Sequence, residues 1–372
     1  MKLGSVSSGT ARIRVLVVDD SPVSRDLLTY LFNSDSSLQV IGVAEDGEQA
    51  VSMAQQLLPD VIAMDIHLPR MDGFEATRKI METCPTRIVM VTATSIPHEV
   101  AATFHALEAG ALTVLAKPLG PASPGYAEMA DEIVRTVKLM AEVQVVRRWT
   151  RKAATAPFGK ASGQGAAPSL RHTPARGEIR VVAVGASTGG PLVLQTILSH
   201  LARQPRPFAA PILITQHISG GFSPGLAEWL GRTTGYPVRI PGHGESIQPG
   251  TAYFAPDALH LQATRDGRIA LSDAPPEHGS RPSVSCLFRS VATAFGPNAV
   301  GVLLTGMGRD GARELKQMQD AGAVTIAQDK ETAIVNGMPG EAVKLNAAAY
   351  VLAPEEIAST LDWLVRQRNG RN

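Results

Sequence analysis

Residues 179–190 read IRVVAVGASTGG, an apolar run of strand type followed by a glycine-rich turn and a helix-like segment that opens at Pro191. Gly185 and Gly189 flank Ser187 and permit a tight strand-to-helix turn. Such a turn holds the serine hydroxyl clear of the backbone, beside the free N–H groups at a helix start. The segment therefore predicts a strand–turn–helix unit with Ser187 as a candidate nucleophile.

Two other interpretations stay open on the turn alone. Small residues are ordinary helix N-caps, and glycine-rich turns at helix starts also cradle phosphate groups. The choice among the three depends on which other side chains the fold brings to Ser187.

The composition excludes several classes of protein. The chain has 372 residues, enough for two domains, and its 35 Lys and Arg against 34 Asp and Glu give a net charge of +1. No global field therefore recruits nucleic acid or an anionic membrane. Cys84 and Cys286 lack a metal-type spacing, which argues for a reducing compartment and against a disulfide framework or structural zinc. Because we find neither a signal-peptide core nor an apolar stretch of membrane-spanning length, we expect a cytoplasmic location.

Short apolar runs alternate with helix-like segments in the first part of the chain. This alternation predicts a five-stranded, doubly wound parallel α/β domain over residues 12–140. An amphipathic helix around Ile133 and Val137 closes it. The predicted strands are residues 13–18, 40–44, 61–64, 88–91 and 112–115.

Residues 141–177 predict a flexible basic linker. They begin with the end of the amphipathic segment and the cationic run 147–152, and then contain mainly Ala, Gly, Pro, Ser and basic residues. This composition is too poor in large apolar groups to form a core. The usual interpretation of such a basic run is a solvated charged segment, and a nucleic-acid-binding arm is the alternative.

Residues 178–368 predict a second doubly wound α/β domain. Buried strands are expected at residues 179–184, 211–215, 300–304, 324–327 and 350–352. Between the second and third of these, residues 262–271 carry an Asp-Gly turn signal that predicts an inserted β-hairpin. The two α/β halves differ in length and motifs, so we infer no internal duplication.

Polar residues follow the strands of the first domain. Because the carboxyl ends of parallel strands meet at one edge of a sheet, we expect these side chains to converge. A hard divalent cation such as Mg²⁺ would relieve the repulsion among three carboxylates, and Asp65 could then attack a phosphoryl donor. The alternative treats each acid as a helix N-cap and Lys117 as a solvated cation. The residues are Asp19, Asp20, Asp65, Thr92 and Lys117.

A candidate catalytic triad emerges in the second domain by the same argument. A serine is a weak nucleophile, so Ser187 needs a base, and the base needs an acid to orient it. His217 follows the predicted strand 211–215, and Asp310 follows the predicted strand 300–304. The glycines around Met307 would let backbone N–H groups face a developing oxyanion.

Simpler roles remain for these residues. Asp310 could merely cap the helix that follows it, and among the other histidines His260, in an apolar strand, could be a core residue. The order Ser, His, Asp along the chain differs from the Ser, Asp, His order of α/β-hydrolases, which argues against that assignment.

The first domain resembles the receiver domain of two-component response regulators. The matching residues are the pair Asp19-Asp20, Asp65, the stretch 68–73 (LPRMDG), Thr92 and Lys117-Pro118. The resemblance implies that Asp65 is the phosphoacceptor and that Thr92 and Lys117 act in the switch. It also implies that Asp19, Asp20, Asp65 and the backbone carbonyl of His67 hold Mg²⁺. Val114 departs from the family, because receivers often have an aromatic residue there.

The second domain, placed behind a receiver, resembles the catalytic domain of the chemotaxis protein-glutamate methylesterases. The resemblance implies a triad of Ser187, His217 and Asp310, with the Met307 backbone N–H in the oxyanion hole and no cofactor in the esterase site. Ser285 stands where the family commonly has Asp. The matching stretches are residues 185–190 (GASTGG), 216–218 (QHI), 221–224 (GFSP), 281–284 (RPSV), 305–311 (TGMGRDG), 322–329 (GAVTIAQD) and 337–339 (GMP).

The resemblance predicts a phosphorylation-regulated esterase. It would hydrolyse glutamate γ-methyl esters on chemoreceptors, releasing methanol, and deamidate receptor glutamines. The unphosphorylated receiver would cover the esterase site, and phosphotransfer from the chemotaxis histidine kinase would expose it. Nucleic acid and membrane insertion are not expected. The alternatives are a catalytically silent receptor-binding scaffold, a sensory paralogue outside chemotaxis, and a DNA-binding regulator, which would need a basic recognition helix.

Overall fold

The protein, described by a computed structural model, forms two compact units. The described residues are 12–93, 103–118, 120–123, 125–143 and 177–369. One unit lies within residues 12–143 and the other within 177–369. The predicted linker, residues 141–177, and its cationic run lie almost entirely outside the described residues.

The first unit is built on a five-stranded sheet in the order β2-β1-β3-β4-β5, with every pair parallel. Continuous apolar runs explain these strands, because both faces of the sheet are covered. The strands are β1 (Ile13–Val18), β2 (Leu38–Ala44), β3 (Val61–Met64), β4 (Arg87–Thr92) and β5 (Thr113–Ala116).

Helices cover both faces of this sheet. The first and fifth helices pack on one face, and the second, third and fourth pack on the other. Ser21, Asp46 and Asp72 cap three of these helices with their side-chain oxygens. The helices are α1 (Pro22–Ser34), α2 (Gly47–Leu57), α3 (Gly73–Thr83), α4 (His105–Ala109) and α5 (Tyr126–Glu142).

The second unit contains a seven-stranded parallel sheet in the order β14-β13-β12-β6-β7-β9-β8. A separate antiparallel hairpin, β10–β11, turns at Gly267, whose φ of 77° suits a residue without a side chain. The strands are β6 (Val181–Ala186), β7 (Ile212–Gln216), β8 (Val238–Arg239), β9 (Ala252–Phe254), β10 (His260–Ala263), β11 (Ile269–Ser272), β12 (Ala299–Leu303), β13 (Val324–Gln328) and β14 (Tyr350–Leu352).

Two groups of helices enclose this second sheet. The sixth, seventh and eleventh helices lie together on one face, and the eighth, ninth and tenth lie on the other. Leu287, Phe288 and Leu315 from the second group pack into a buried cluster with sheet residues such as Leu213 and Leu303. The helices are α6 (Gly190–Ala202), α7 (Ser223–Thr234), α8 (Val284–Phe295), α9 (Ala312–Asp320), α10 (Met338–Lys344) and α11 (Pro354–Asn369), with a 3₁₀ turn at Gly296–Asn298.

The predicted fold class is confirmed. Both sheets are parallel with helices on both faces, and the predicted hairpin is present. Strands at all ten predicted positions occur, with ends shifted by up to two residues. The short strands β8 and β9 were missed, and they extend the second sheet beyond β7.

No helix in the described part of the chain is both long and apolar enough to cross a membrane. The cytoplasmic location stays a prediction.

Both cysteines are free, and burial, with the nearby Glu277, raises the pKa of Cys286 to about 12.

Candidate active site

The second sheet places Ser187, His217 and Asp310 at one edge. Ser187 directly follows β6, and His217 directly follows β7. Asp310 lies in the loop between β12 and α9. Because β12, β6 and β7 are neighbours in the sheet, their carboxyl ends bring the three residues together.

Ser187 sits in a tight turn between β6 and α6. Its N–H donates to the carbonyl of Thr305 at 3.0 Å, and its own carbonyl accepts from Gly190 at 2.8 Å. Gly189, the N-cap of α6, has a φ of 81°, and an added Cβ there would lie 2.8 Å from a side-chain atom of Ile334. The turn thus needs glycine at this position, and it leaves Ser187 8% exposed.

His217 and Asp310 form a hydrogen-bonded pair. Their Nε2 and Oδ2 atoms lie 2.8 Å apart, and the Asp310 side chain is almost fully buried. Burial alone would raise the pKa of Asp310, but the hydrogen bond and charge of His217 and hydrogen bonds from Ser285 outweigh it and hold that pKa below its ordinary value. Asp310 is therefore an ionised acceptor at neutral pH.

An ionised carboxylate decides which nitrogen of His217 carries the proton. Since Asp310 accepts only, the Nε2–H of His217 donates to it, and Nδ1 of the neutral ring is left as the basic nitrogen. Within the described residues, no hydrogen bond joins Ser187 Oγ to His217.

The start of α8 holds the Asp310 carboxylate in place. Oδ1 accepts from the Ser285 N–H and the Ser283 hydroxyl, both at 2.9 Å, and Oδ2 accepts from the Val284 N–H at 2.8 Å. A helix N-terminus favours negative charge, which explains how this buried carboxylate is tolerated. Asp310 does not cap α9, whose N-cap is Gly311.

Ser285 connects this carboxylate site to a second acid. Its hydroxyl donates to Glu314 Oε2 at 2.7 Å and accepts from the Gly311 N–H at 3.0 Å. Glu314 in turn pairs with Arg289 at 3.8 Å. The Ser285 hydroxyl therefore lies between the Gly311 N–H and a second buried carboxylate, that of Glu314.

The loop after β12 passes beside Ser187. A Cβ at Gly306 would lie 2.6 Å from Ser187 Cβ, so the backbone there approaches the serine closely. The Gly306 carbonyl accepts from the N–H groups of Gly337 and Met338 at 3.1 and 2.9 Å. In a trans peptide the N–H points opposite to the C=O, so the Met307 N–H points away from those two donors.

The first sheet gathers its acids in the same way. Ligand atoms of Asp19, Asp20 and Asp65 all lie within 4.8 Å of one another. Asp19 follows β1 and Asp65 follows β3, neighbouring strands of the sheet. His67 lies two residues beyond Asp65 with its side chain exposed, and the role of its backbone carbonyl stays a prediction.

Lys117 bridges two of the acids. Its Nζ lies 2.7 Å from Asp19 Oδ2 and 2.5 Å from Asp65 Oδ2. Burial raises the pKa of Asp19 and the Asp65 charge adds to the effect, although Lys117 opposes it. Burial alone would lower the pKa of Lys117, but the two carboxylates outweigh it and raise it. Thr92 ends β4 with a buried Oγ1 that has no hydrogen-bond partner among the described residues.

The acidic cluster fits a hard divalent cation. Three carboxylates at this spacing, with Asp20 exposed and one Lys117 ammonium among them, offer the oxygen donors that Mg²⁺ prefers. Gly73 allows the loop after β3 to close against Asp65, because an added Cβ would come 2.1 Å from the Asp65 carbonyl oxygen.

Sequence reasoning missed three residues that hold the candidate active site together. Gln216 binds two backbone carbonyls of the site, and Ser283 binds Asp310. His260, considered a possible core residue, is fully buried, and its Nδ1 accepts from the Ser283 N–H at 3.1 Å. Gln216 and Ser283 lay within the matched stretches 216–218 and 281–284, which was the available signal.

The chain is similar to protein-glutamate methylesterases in sequence and in domain content. The CheB methylesterase family model matches residues 182–361, and the response regulator receiver domain model matches residues 15–123. A protein-glutamate methylesterase/protein-glutamine glutaminase of Syntrophus aciditrophicus is 54% identical over 94% of this chain and 97% of its own. One of Geobacter metallireducens is 50% identical over 96% of this chain and 100% of its own. The Thermotoga maritima CheB methylesterase catalytic domain shares 34% identity over 50% of this chain and 98% of its own, with a TM-score of 0.47.

The Ser283→Ala variant tests the clamp on Asp310. The change removes a hydroxyl that binds Asp310 Oδ1 and caps α8, so we expect the free energy of unfolding of the second unit to fall by about 1–3 kcal/mol. Urea unfolding of the full chain measures it. Thr293→Ala is the control, since it removes an exposed hydroxyl from the same helix and should change stability by less than about 0.5 kcal/mol. Equal losses in both variants would contradict the clamp.

Proposed function

The chain belongs to the CheB methylesterase family, with a receiver domain ahead of the esterase domain, and we propose that it hydrolyses glutamate γ-methyl esters on chemoreceptors. The His217–Asp310 hydrogen bond beside the Ser187 turn carries this proposal. A buried carboxylate and an oriented imidazole next to a serine are the components of serine-based acyl transfer.

The proposed reaction forms and breaks an acyl-enzyme. Ser187 Oγ attacks the ester carbonyl carbon while His217 Nδ1 accepts its proton, and Asp310 stabilises the resulting imidazolium. The Met307 N–H donates to the oxyanion; one such donor lowers a barrier by roughly 2.7–4 kcal/mol. Methoxide leaves as methanol with the proton from His217.

A water molecule completes the cycle. His217 accepts a proton from the water as the water attacks the acyl-enzyme, and returns it to Ser187 as glutamic acid leaves. The released acid then loses its remaining proton to solvent. A glutamine side chain would follow the same course with ammonia as the leaving group, so we extend the proposal to receptor glutamines.

We propose that the first unit regulates this activity through phosphorylation of Asp65. A histidine kinase would donate the phosphoryl group to Asp65. Asp19, Asp20, Asp65 and the His67 carbonyl would hold Mg²⁺, which would supply positive charge against the phosphoryl oxygens. Lys117 exchanges its ion pair with Asp65 for one with the phosphoryl group. The Thr92 hydroxyl, which has no partner among the described residues, donates a hydrogen bond to a phosphoryl oxygen. A phosphoryl group adds roughly −1.5 to −2 charges at this edge.

The Ser187→Ala variant tests the nucleophile. Loss of the hydroxyl should lower the rate of methanol release from methylated receptor on the order of 10⁴-fold or more. Ser199→Ala removes a serine hydroxyl from α6, the helix that follows Ser187, and should keep the wild-type rate. The serine mechanism is wrong if Ser187→Ala releases methanol as fast as the Ser199→Ala control.

The Asp65→Asn variant tests the phosphoacceptor. Addition of acetyl phosphate and Mg²⁺ should raise the methanol-release rate of the wild type and leave that of Asp65→Asn unchanged. Asp72→Asn is the matched control, because Asp72 is an exposed helix cap that asparagine replaces well; it should respond like wild type. A normal response of Asp65→Asn would overturn the proposal.

A further inference from the structure

A buried amide links the nucleophile to the base. Gln216 is the last residue of β7 and is 2% exposed. Its Nε2 donates to the carbonyl oxygen of Ser187 at 2.7 Å and to that of His217 at 2.7 Å. Both N–H groups of the side chain are therefore spent on the backbones of the two residues that exchange a proton in the proposed reaction.

This amide adds a connection beyond the end of the sheet. The pairing of β6 with β7 ends at Ala186 and Gln216, and the His217 N–H still donates to the Ala186 carbonyl at 2.9 Å. No hydrogen bond joins the side chains of Ser187 and His217 in the described structure, so the amide is a direct polar link between the two residues. It continues the connection between the two chain segments by one residue beyond the last pair of β6 and β7.

The packing around Gln216 is tight. Its Oε1 is buried without a hydrogen-bond partner among the described residues. A Cβ at Gly190 would lie 2.1 Å from that oxygen. Only the absence of a side chain at Gly190 therefore lets the Gln216 amide pack against the start of α6. An apolar side chain of similar size would fill this space without burying an unpaired oxygen. The contribution of Gln216 therefore lies in its two donors.

We propose that Gln216 is a positioning residue that sets the separation between Ser187 and His217. The inference rests on the hydrolysis proposed above. Rate depends steeply on this separation, since a displacement of about 1 Å can cost roughly 100-fold. Gln216 is 2% exposed and its two donors bind backbone carbonyls, so we expect its loss to lower kcat and to leave KM close to its wild-type value.

The Gln216→Met variant keeps the bulk of the side chain and removes both donors. Steady-state methanol release should show kcat lowered by roughly 10- to 100-fold, with KM changed by less than about 2-fold. Thr234→Val is the control for a lost buried polar link, because the Thr234 hydroxyl binds Leu230 and Tyr236 at the far end of α7; it should keep the wild-type kcat. A wild-type kcat in folded Gln216→Met, or a loss confined to KM, overturns the proposal.

The Gln216→Glu variant gives a second readout that does not depend on Gln216→Met folding. A carboxylate there repels both carbonyl oxygens, whereas the protonated acid regains one donor. The ratio of its kcat to that of wild type should rise as the pH falls; His217 and its partner Asp310 are the titratable groups beside the introduced carboxyl. A ratio independent of pH overturns the proposal.

Wild type and Ser187→Ala, measured alongside, separate this proposal from the function on which it rests. Methanol release by wild type but not by Ser187→Ala upholds the esterase, and the Gln216 variants then decide the positioning role alone. Absence of methanol release from wild type overturns the proposed function itself.

Discussion

The second unit depends on the place given to one buried carboxylate. Asp310 lies at the N-terminus of α8, where two N–H groups and the Ser283 hydroxyl stabilise its negative charge, and its remaining bond goes to His217. Because these bonds keep the pKa of Asp310 low despite burial, the acid stays charged and acts as an acceptor only. That charge sets the tautomer of the His217 imidazole, with the proton on Nε2. It therefore leaves Nδ1 free to accept a proton from Ser187.

The two units use the same architecture to bring charged side chains together at one edge of a sheet. In each, the carboxyl ends of adjacent parallel strands bring distant residues to one edge, and a charge there is held by a specific partner. Lys117 binds Asp19 and Asp65 in the first unit, and His217 binds Asp310 in the second. The acids of the first unit leave one exposed oxygen donor at Asp20, which suits a cation, whereas Asp310 is enclosed by N–H and O–H donors.

Much of the fold and the candidate site could be predicted from the sequence, because the signals are local. Continuous apolar runs mark strands covered on both faces, and polar residues placed directly after them must meet at the sheet edge. β8 and β9 were missed because two- and three-residue strands carry too few side chains for a pattern. The bond from the Gln216 amide to Ser187 and the role of His260 arise only when separate strands and helices approach, so no local periodicity encodes them.

The protonation state of His217 tests the central claim most directly. In the ¹⁵N-labelled protein at about pH 8, where an ordinary histidine is neutral, nuclear magnetic resonance should find the ring proton of His217 on Nε2, with Nδ1 unprotonated. The Asp310→Ala variant should lose the preference for the Nε2–H tautomer. The His217→Gln variant lacks the imidazole, so the signals that disappear in its spectrum are those of His217. A wild-type ring that carries its proton on Nδ1, or a tautomer unchanged by Asp310→Ala, would contradict the account.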